Sequence, residues 1–366
     1  MERFDALVVG AGPAGSATAI RLARDGARVL LADRARFPRD KPCGGGLTGR
    51  AVRELPVDVS PVVEDVVRTL EVRLRYRKRF ERRSEAPLVL MTQRRRLDAF
   101  LVEQATAAGA DFRDGATVEG LTVEPDGAAL TVDGRRVHGR VVVGADGVNG
   151  KLARVAGIGG GTLYGIALEG NGPLPAGQQG RASVELGVVP GGYGWVFPKD
   201  GHANYGVGGW ASEGPLLREH LRRLCEAHGV ELSSLTDLHG RRLPIRRTTA
   251  ARRGPVILVG DAAGLVDPLS GDGIYEALVS ARLASAAILA SRLDDYEAEL
   301  GAALGRFAAT SWKAKLALDR HPRAAFEIAR FPGVWRVVAG LLTGEVTLPS
   351  DARGLARPSL RLLARL

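Results

Sequence analysis

A glycine-rich stretch near the start of the chain has the spacing needed to hold a phosphate-bearing ligand. Residues 10–15 read Gly-Ala-Gly-Pro-Ala-Gly, a G-x-G-x-x-G pattern between an apolar run and a helical stretch. Glycines there allow a tight turn and close approach to a pyrophosphate, and the helix N-terminus adds amides and a positive dipole end. Asp33 ends the next apolar run, where its carboxylate can accept from both hydroxyls of an adenosine ribose. The spacing predicts a dinucleotide site, and an aspartate rather than an arginine disfavours a 2′-phosphate.

Two later segments indicate which dinucleotide is bound. Residues 144–149 (G-A-D-G-V-N) and 260–264 (G-D-A-A-G) each follow an apolar run. Asp261, beside glycines, can bind a polyol such as the ribityl chain of FAD, whereas NAD has no ribityl chain. The amides of Gly273 and Ile274 begin the next helical stretch, where they can face the pyrimidine edge of a flavin and stabilise the anionic reduced ring. These segments favour FAD.

The elements that would position these residues can be predicted from apolar patterning. Residues 4–33 predict a βαβ unit, because continuous apolar runs are typical of strands buried on both faces of a parallel sheet. Residues 69–92 predict an antiparallel hairpin with its turn at Lys78-Arg79, and residues 160–212 predict glycine-rich strands of a second sheet.

We therefore predict an α/β (α+β) fold: a Rossmann-like FAD-binding domain, an inserted antiparallel β-sheet substrate domain and C-terminal helices. The predicted boundaries are 1–66, 93–158 and 250–293 for the discontinuous FAD-binding domain, 67–92 and 159–249 for the substrate domain, and 294–366 for the helical region.

Composition narrows the class of protein and its partners. Of 366 residues, 45% are hydrophobic and 25% charged, which excludes collagen, wholesale disorder and a coiled-coil rod. Lys+Arg 51 against Asp+Glu 41 gives a net charge of +10, which favours an acidic partner, and only 5% aromatics argue against a nucleic-acid stacking platform. Two cysteines are too few for a disulfide framework, and the six histidines lack metal-ligand spacing, so no metal is expected. The acidic N-terminus predicts no signal peptide, and we expect a cytoplasmic protein.

The motifs together carry a resemblance to a known family. The three FAD segments resemble the glutathione-reductase-type FAD superfamily in its p-hydroxybenzoate-hydroxylase-like branch. Residues 41–47 (K-P-C-G-G-G-L) and 190–198 (P-G-G-Y-G-W-V-F-P) are similar to the R/K-x-C-G-x-G loop and the P-x-x-Y-x-W-x-F-P motif of the geranylgeranyl reductase family. The resemblance covers most of residues 1–295. It implies an FAD-dependent enzyme that reduces carbon–carbon double bonds of a prenyl diphosphate, a prenylated glycerolipid or a menaquinone side chain.

The resemblance also implies roles for individual residues. Arg94 would contact FAD near its phosphates or ribityl chain, and Val118 would place backbone against the adenine. The alternative for Arg94 is a solvated arginine at a helix start, although a cation is unfavourable there. The complete set implied to bind FAD is Gly10, Gly12, Ala14, Gly15, Asp33, Cys43, Gly44, Gly46, Arg94, Val118, Asp261, Gly273 and Ile274.

Four residues are predicted to act on the substrate, and one of them, Cys43, also belongs to the FAD-binding set. Cys43, between a proline and three glycines, can donate the proton when hydride leaves flavin N5 for an alkene carbon; the alternative is a small packed residue in a glycine loop. Tyr193, Trp195 and Phe197 alternate and so share one face of a strand. We predict that they form an aromatic wall facing the flavin and a prenyl chain. The alternative is a core stripe of the sheet.

The reductant and the surface partners stay open. Because no second G-x-G-x-x-G follows a strand, the reductant is NAD(P)H docking transiently, a ferredoxin-like donor or a quinol. The basic hairpin, residues 68–83, carries eight cations against two glutamates, so it is either a solvated sheet face or a contact surface for anionic lipid or a prenyl diphosphate. We expect a monomer with no nucleic-acid partner, and peripheral contact at the inner face of the membrane remains an alternative to a wholly cytoplasmic location.

Three other functions share parts of this pattern. An FAD-dependent aromatic or lipid monooxygenase shares all three FAD segments and differs in using oxygen. A non-catalytic prenyl-binding protein, as in the Rab escort and GDI relatives, is disfavoured by the intact glycines, Asp33 and Asp261. Flavin-dependent halogenases carry a W-x-W-x-I-P motif, and Tyr193 and Phe197 replace its first tryptophan and its isoleucine here.

Overall fold

The computed structural model describes residues 1–158, 162–246 and 250–346. The strands are β1 (Glu2–Val9), β2 (Val29–Ala32), β3 (Gly46–Thr48), β4 (Asp65–Val67), β5 (Thr69–Leu74), β6 (Lys78–Arg83), β7 (Val89–Met91), β8 (Asp111–Arg113), β9 (Val118–Glu124), β10 (Gly127–Val132), β11 (Arg135–Gly144), β12 (Thr162–Pro173), β13 (Arg181–Leu186), β14 (Tyr193–Pro198), β15 (His202–Trp210), β16 (Thr236–Arg246), β17 (Arg252–Arg253) and β18 (Val256–Leu258). The α-helices are α1 (Pro13–Arg24), α2 (Gly49–Glu54), α3 (Arg94–Ala107), α4 (Leu152–Val155), α5 (Leu217–Ala227), α6 (Ile274–Leu289), α7 (Tyr296–Arg320), α8 (Pro322–Ala329) and α9 (Pro332–Thr343).

A sheet with a parallel centre carries the predicted dinucleotide motif. β1 lies between β2 and β11 and pairs in parallel with both, and β8 and β18 continue the parallel order on either side. All four residues of β2 are buried, as a strand covered on both faces requires. Side chains of α1, α3 and α6 share one hydrophobic core with this sheet. The predicted βαβ unit and Rossmann-like fold class are confirmed.

A second sheet supplies the other predicted motif. Its order is β16-β12-β15-β14-β13-β5-β6, and all neighbours are antiparallel except β13 and β5. Helix α5 covers one face, where Leu224 and Cys225 pack in a common core with Val196 and Tyr205. Since Val196 points toward α5, the alternate residues of β14 point to the opposite face.

A small third sheet brings the Cys43 loop next to the start of α3. β7 pairs with both β3 and β4, with Gly46 opposite Met91. The backbone amide of Thr92 donates to the carbonyl oxygen of Gly45 at 2.8 Å. The segments around Gly45 and Thr92, which lie far apart in the sequence, are thereby held side by side.

The hairpin turn differs from the predicted one. Arg75 and Tyr76 have φ of 50° and 60°, so the turn falls at 75–77 and Leu74 pairs with Lys78. The prediction of a turn at Lys78-Arg79 is wrong because the Glu185 carboxylate accepts from the Tyr76 amide at 2.8 Å and holds the chain in an earlier turn. The hairpin also ends at Arg83, since residues 89–91 belong to the third sheet.

The C-terminal region is helical as predicted over its described part. The sequence also predicts that prolines break this region at Pro322, Pro332 and Pro349. α7, α8 and α9 are separated at the first two, and Pro349 lies outside the described residues. Phe326 of α8 packs edge-on against Phe80 with ring centroids 5.2 Å apart, which joins the helices to the second sheet. Across the three described stretches, no helix is both long and apolar enough to cross a membrane.

Candidate active site

The glycine loop between β1 and α1 tolerates no side chains at two positions. Gly10 has φ of +104°, and a Cβ there would overlap the carbonyl oxygen of Ala145. A Cβ on Gly15 would overlap the carbonyl oxygen of Gly10. No side chain caps α1 at Gly12, so the first turn of the helix presents its amides without competition from a capping group. This is the arrangement that a pyrophosphate requires.

Asp33 lies beside this loop at the carboxyl end of β2. Its carboxylate accepts from the amide of Ala11 at 2.7 Å and from the amide of Ala35 at 2.9 Å. The carbonyl oxygen of Asp33 accepts from the Ala116 amide at 2.9 Å, so the chain that leads into Val118 runs alongside it. Asp33 and Val118, the residues predicted to contact the ribose and the adenine, therefore lie at the same edge of the first sheet.

Two arginines face the glycine loop. Arg94, only 3% exposed, forms a bidentate pair with Asp98, with both N–O distances at 2.7 Å, and Arg39 reaches the same carboxylate at 2.8 Å. A Cβ built on Gly12 would lie 3.6 Å from Nη2 of Arg94 and 3.7 Å from Nη2 of Arg39. The alternative of a solvated Arg94 is therefore wrong, because Asp98 one turn along α3 draws its side chain inward.

Asp261 occupies the opposite side of the same region. It lies 3.5 Å from Nζ of Lys41 and 2.5 Å from Nη2 of Arg241. Burial opposes ionisation, but Lys41, Arg241 and Arg94 together lower the pKa of Asp261 to about 2. A Cβ built on Gly273 would lie 3.0 Å from its Oδ1, so Asp261 adjoins the start of α6.

These side chains form an excess of positive charge that fits a diphosphate. Four cations from three segments of the chain meet three carboxylates; the cations are Arg39, Lys41, Arg94 and Arg241, and the carboxylates are Asp33, Asp98 and Asp261. Sequence reasoning missed Arg39, Lys41 and Arg241 as functional residues. Lys41 lies within the matched Cys43 motif and could have been found there. Arg241 comes from β16 of the second sheet, and no local pattern identifies it.

The segments 144–149 and 260–264 also meet, as the sequence predicts. They border a cavity of about 460 Å³ that reaches Asp261 and ends against Thr162 and Pro244. Asp146 accepts from the amides of Lys151 and Leu152, and so shapes the loop rather than facing the cavity with both oxygens.

The Cys43 loop packs on the aromatic residues of β14. A Cβ built on Gly44 would lie 2.9 Å from Cδ2 of Phe197 and 3.4 Å from Nε1 of Trp195. The ring centroids of Tyr193 and Trp195 are 5.9 Å apart, and those of Trp195 and Phe197 are 6.2 Å apart. Trp195 is buried, whereas Tyr193 and Phe197 are partly buried and pack against small hydrophobic clusters on the face opposite Val196. The three rings therefore share the face that meets the Cys43 loop, and the aromatic wall stays a prediction.

Tyr193 ties this wall to the cofactor side. Its hydroxyl donates to the carbonyl oxygen of Ser270, in the segment just before Gly273. Burial, followed by the nearby Asp272 and Asp267, raises the pKa of the phenol, which therefore stays protonated as a donor. The aromatic wall and the start of α6 are thus held together directly.

Two buried ionisable groups stand behind the Cys43 loop and were not predicted. Lys199 donates to the carbonyl oxygens of Gly44 at 2.7 Å and Thr92 at 2.9 Å, and burial lowers its pKa to about 8. Glu169 on β12 is 7% exposed, and burial raises its pKa to about 7. Neither residue belongs to a recognisable motif, although Lys199 directly follows Pro198 of the aromatic motif.

Comparison with known proteins agrees with this geometry. The model of an FAD binding domain matches residues 3–166. A menaquinone reductase of Mycolicibacterium smegmatis is 31% identical over 97% of this chain and 95% of that protein, and a geranylgeranyl diphosphate reductase of Rhodobacter capsulatus is 31% identical over 79% and 75%. The crystal structure of a geranylgeranyl bacteriochlorophyll reductase-like protein from Thermoplasma acidophilum superposes with a TM-score of 0.80 at 25% identity, covering 98% of this chain and 96% of that one. Since the similarity spans both sheets and the motifs that meet between them, the chain belongs to the geranylgeranyl reductase family of FAD-dependent oxidoreductases.

Proposed function

We propose that this enzyme reduces carbon–carbon double bonds of a polyprenyl chain, carried by a diphosphate, a glycerolipid or a quinone. The observation that carries the proposal is the packing of the Cys43 loop on the aromatic face of β14, at Gly44 and Phe197. The same loop carries Lys41, which pairs with Asp261, and Tyr193 of the same strand reaches Ser270, just before the start of α6. The relatives named as geranylgeranyl diphosphate reductase and menaquinone reductase support a prenyl substrate.

The cofactor would be held by both sheets. The glycine loop with Arg39 and Arg94 suits the diphosphate, and Asp33 suits the adenosine ribose. Asp261, with its charge fixed by Lys41 and Arg241, suits the ribityl chain. Bound FAD supplies a two-electron hydride donor. We further propose that residues 67–92 and 159–249 form the substrate domain around it, and residues 1–66, 93–158 and 250–293 the FAD-binding domain.

The chain itself would supply the apolar pocket and the proton. Tyr193, Trp195 and Phe197 exclude water and orient the prenyl chain, since an alkene offers no polar group to hold. Cys43 holds a proton on Sγ and donates it to the alkene carbon that does not receive hydride. The loop position of Cys43 depends on Lys199, which binds the next carbonyl oxygen.

Anaerobic half-reactions test this function. The purified enzyme is photoreduced without oxygen and mixed with geranylgeranyl diphosphate, a prenylated glycerolipid or menaquinone in detergent. We expect the flavin absorbance to return without oxygen and the product to gain the mass of two hydrogen atoms per double bond. Reoxidation that needs oxygen and adds an oxygen atom would instead establish a monooxygenase.

The physical form of the substrate can be identified separately. Native mass spectrometry of lipid extracted from the yellow protein is expected to reveal a bound prenyl lipid. A prenyl diphosphate in the extract would place the enzyme before transfer of the chain to its final carrier. NAD(P)H and a reduced ferredoxin-like protein are to be compared as donors by anaerobic flavin bleaching.

We also propose a cytoplasmic monomer that contacts the inner face of the membrane through the basic hairpin. Lys78 pairs with Glu327 of α8 and Arg82 donates to the Arg330 carbonyl oxygen, which fixes the hairpin beside Phe331, a residue 58% exposed. Cations next to an exposed aromatic ring suit an anionic lipid surface. Cosedimentation with anionic vesicles is expected to weaken when Arg77 and Arg83 are changed to glutamate, and binding equal to wild type would remove this proposal.

A further inference from the structure

A carboxyl group and an amine from the second sheet approach the Cys43 loop from behind. The backbone amide of Cys43 faces the carboxylate of Glu169 and favours its charged form. Lys199 holds the neighbouring carbonyl oxygen of Gly44 at 2.7 Å. Both side chains are more than nine-tenths buried, so this loop is backed by ionisable groups rather than by solvent.

Cys43, Glu169 and Lys199 line one small polar cavity. Its volume is about 30 Å³. One water needs roughly 10–15 Å³ measured in this way, so the cavity has room for a short water chain. The remaining lining is polar enough to bind water; it includes Asn171, Asn204, Thr92 and Gln93.

The cavity also reaches the protein surface. Glu169 on β12 is paired with His239 on β16, so the two side chains lie on the same face of the sheet. His239 and Asp237 are exposed and line the cavity as well. A route therefore leads from solvent at His239, past Glu169, to the Cys43 loop.

Several charges face Glu169 from the elements packed around it. Burial dominates its environment, Arg241 and Lys199 favour its ionised form, and Asp40 opposes it. The other ionisable groups of the cavity are Lys41, Cys43, Arg94, Asp237 and His239.

We propose that Glu169 is the proton reservoir of Cys43, and that the cavity between them conducts protons from the surface at His239. The proposal rests on the proposed function of Cys43 as the acid. Glu169 touches neither substrate nor cofactor and acts through the thiol, so it is a positioning and relay residue.

The relay balances atoms and charge. One alkene carbon gains the hydride that bound reduced flavin supplies, and the other gains the proton as the S–H bond of Cys43 breaks. The O–H bond of Glu169 then breaks, its proton crosses the cavity to the thiolate, and the carboxylate takes a new proton from solvent by way of His239. A nicotinamide or ferredoxin-like donor restores the two electrons consumed.

Glu169→Gln tests the relay, because glutamine keeps the shape and an acceptor for the Cys43 amide but carries no exchangeable acid. Glu185→Gln is the matched control. Glu185 is another buried glutamate of the second sheet with a pKa raised by burial to about 7, and it contacts Arg73 and Tyr76 rather than the Cys43 loop. Equal flavin absorbance and a cooperative thermal unfolding transition show that each variant is folded and loaded.

The first measurement is the steady-state rate of prenyl reduction as a function of pH, with dithionite in excess as the electron donor, because Cys43 must regain its proton from Glu169 between turnovers. In wild type the rate is expected to fall as pH rises through about 7, where Glu169 loses its proton. Glu169→Gln should be slower by about tenfold at the acidic end and lack this break, while converging on wild type at the alkaline end. Glu185→Gln should follow wild type.

The second measurement does not use turnover. Cys43 of the oxidised holoenzyme is alkylated with iodoacetamide across the same pH range, and mass spectrometry of its peptide separates it from the buried Cys225. Ionised Glu169 disfavours the thiolate by like charge, so the wild-type profile should show a break near neutral pH that Glu169→Gln removes. An unchanged alkylation profile together with an unchanged pH–rate profile would overturn the relay.

Cys43→Ser separates this result from failure of the proposed function. If Cys43→Ser is slow while Glu169→Gln behaves as wild type, the thiol is the acid and the relay is wrong. If Cys43→Ser keeps wild-type single-turnover rates at every pH, Cys43 is not the acid and the relay falls with it, while prenyl reduction stands. If wild type reduces no prenyl substrate, the proposed function fails, and the alkylation profile alone still decides whether Glu169 and Cys43 are coupled.

Discussion

Nζ of Lys199 lies 2.7 Å from the carbonyl oxygen of Gly44, so the residue that follows the aromatic strand holds the loop that carries Cys43. The same amine donates to the carbonyl oxygen of Thr92, two residues before α3 begins at Arg94. One side chain of the second sheet thus fixes two loops that border the cofactor region.

Lys199→Met is expected to weaken both the fold and the site. It leaves two buried carbonyl oxygens without a donor, which costs about 1–3 kcal/mol of unfolding free energy. The loop then loses its fixed position, and single-turnover prenyl reduction should fall by about tenfold. Thermal unfolding and stopped-flow absorbance measure the two effects. Lys78→Met, at an exposed lysine of the hairpin, should change neither.

Arg94→Lys is expected to lower FAD affinity while keeping the positive charge. Lysine cannot reproduce the bidentate pair with Asp98, so affinity should fall by about tenfold. Equilibrium dialysis or fluorescence titration of the deflavinated protein measures it. The adjacent Arg95 is exposed on the same turn of α3, and Arg95→Lys should bind FAD as wild type does. Equal affinities for the two variants would show that Arg94 has only a structural role.

Asp261→Asn is expected to release FAD. It removes the proposed ribityl acceptor and leaves Lys41 and Arg241 without their shared carboxylate, so the ratio of flavin to protein absorbance should drop after gel filtration. Because the pKa of Asp261 is about 2, its carboxylate stays charged at neutral pH. Titration of Asp261 should therefore not change the FAD retention of wild type at any pH above about 5. Asp294→Asn, at an exposed acid, should retain FAD normally.

Gly44→Ala is expected to separate the Cys43 loop from the aromatic wall. The new Cβ would lie 2.9 Å from the Phe197 ring, so ring or loop must move. Prenyl reduction should slow by about tenfold or more, since a displacement of about 1 Å can cost a hundredfold. Gly301→Ala is the control, because a Cβ there meets nothing within 4 Å and α7 gains a better helix former. Equal rates for both variants would contradict the proposed role of the loop.

Glu185→Gln is expected to change the pH dependence of stability. Burial raises the pKa of Glu185 from an ordinary value of 4.5 to about 7 in the folded protein, so the folded state binds its proton more tightly. This contribution is fully present below the ordinary value and is lost as pH rises through about 7. Denaturant unfolding at several pH values measures this effect. At the alkaline end, the free energy of unfolding of Glu185→Gln should rise relative to that of wild type by roughly 2–3 kcal/mol. A constant difference across pH would contradict the raised pKa.

The parts of the site that the sequence predicts are those encoded in contiguous motifs. The glycine loop, Asp33 and Asp261 each sit at the end of a buried strand, and strand ends of a parallel sheet meet at one edge by geometry. Arg94 could be predicted because it belongs to a sequence motif. Its pairing with Asp98, one helical turn further on, was not predicted.

The parts that escape prediction depend on contacts between the two sheets. Arg241 is 20 residues from Asp261 in sequence but reaches it from the second sheet, and Lys199 is 155 residues from Gly44. Alternation of apolar and polar residues shows which face of a strand is buried, not which buried charge meets a distant loop. The hairpin turn was misplaced for the same reason, since Glu185, 109 residues away, fixes Tyr76.

The pairing of Arg241 with Asp261 also limits how this enzyme can be re-engineered. A chimaera that exchanged residues 162–246 for those of another family member to alter the substrate range would exchange a ligand of the cofactor region at the same time. It would replace the lysine that fixes the Cys43 loop as well. We therefore expect substrate preference and flavin retention to change together in such a chimaera, and a successful graft to need matched residues in both halves.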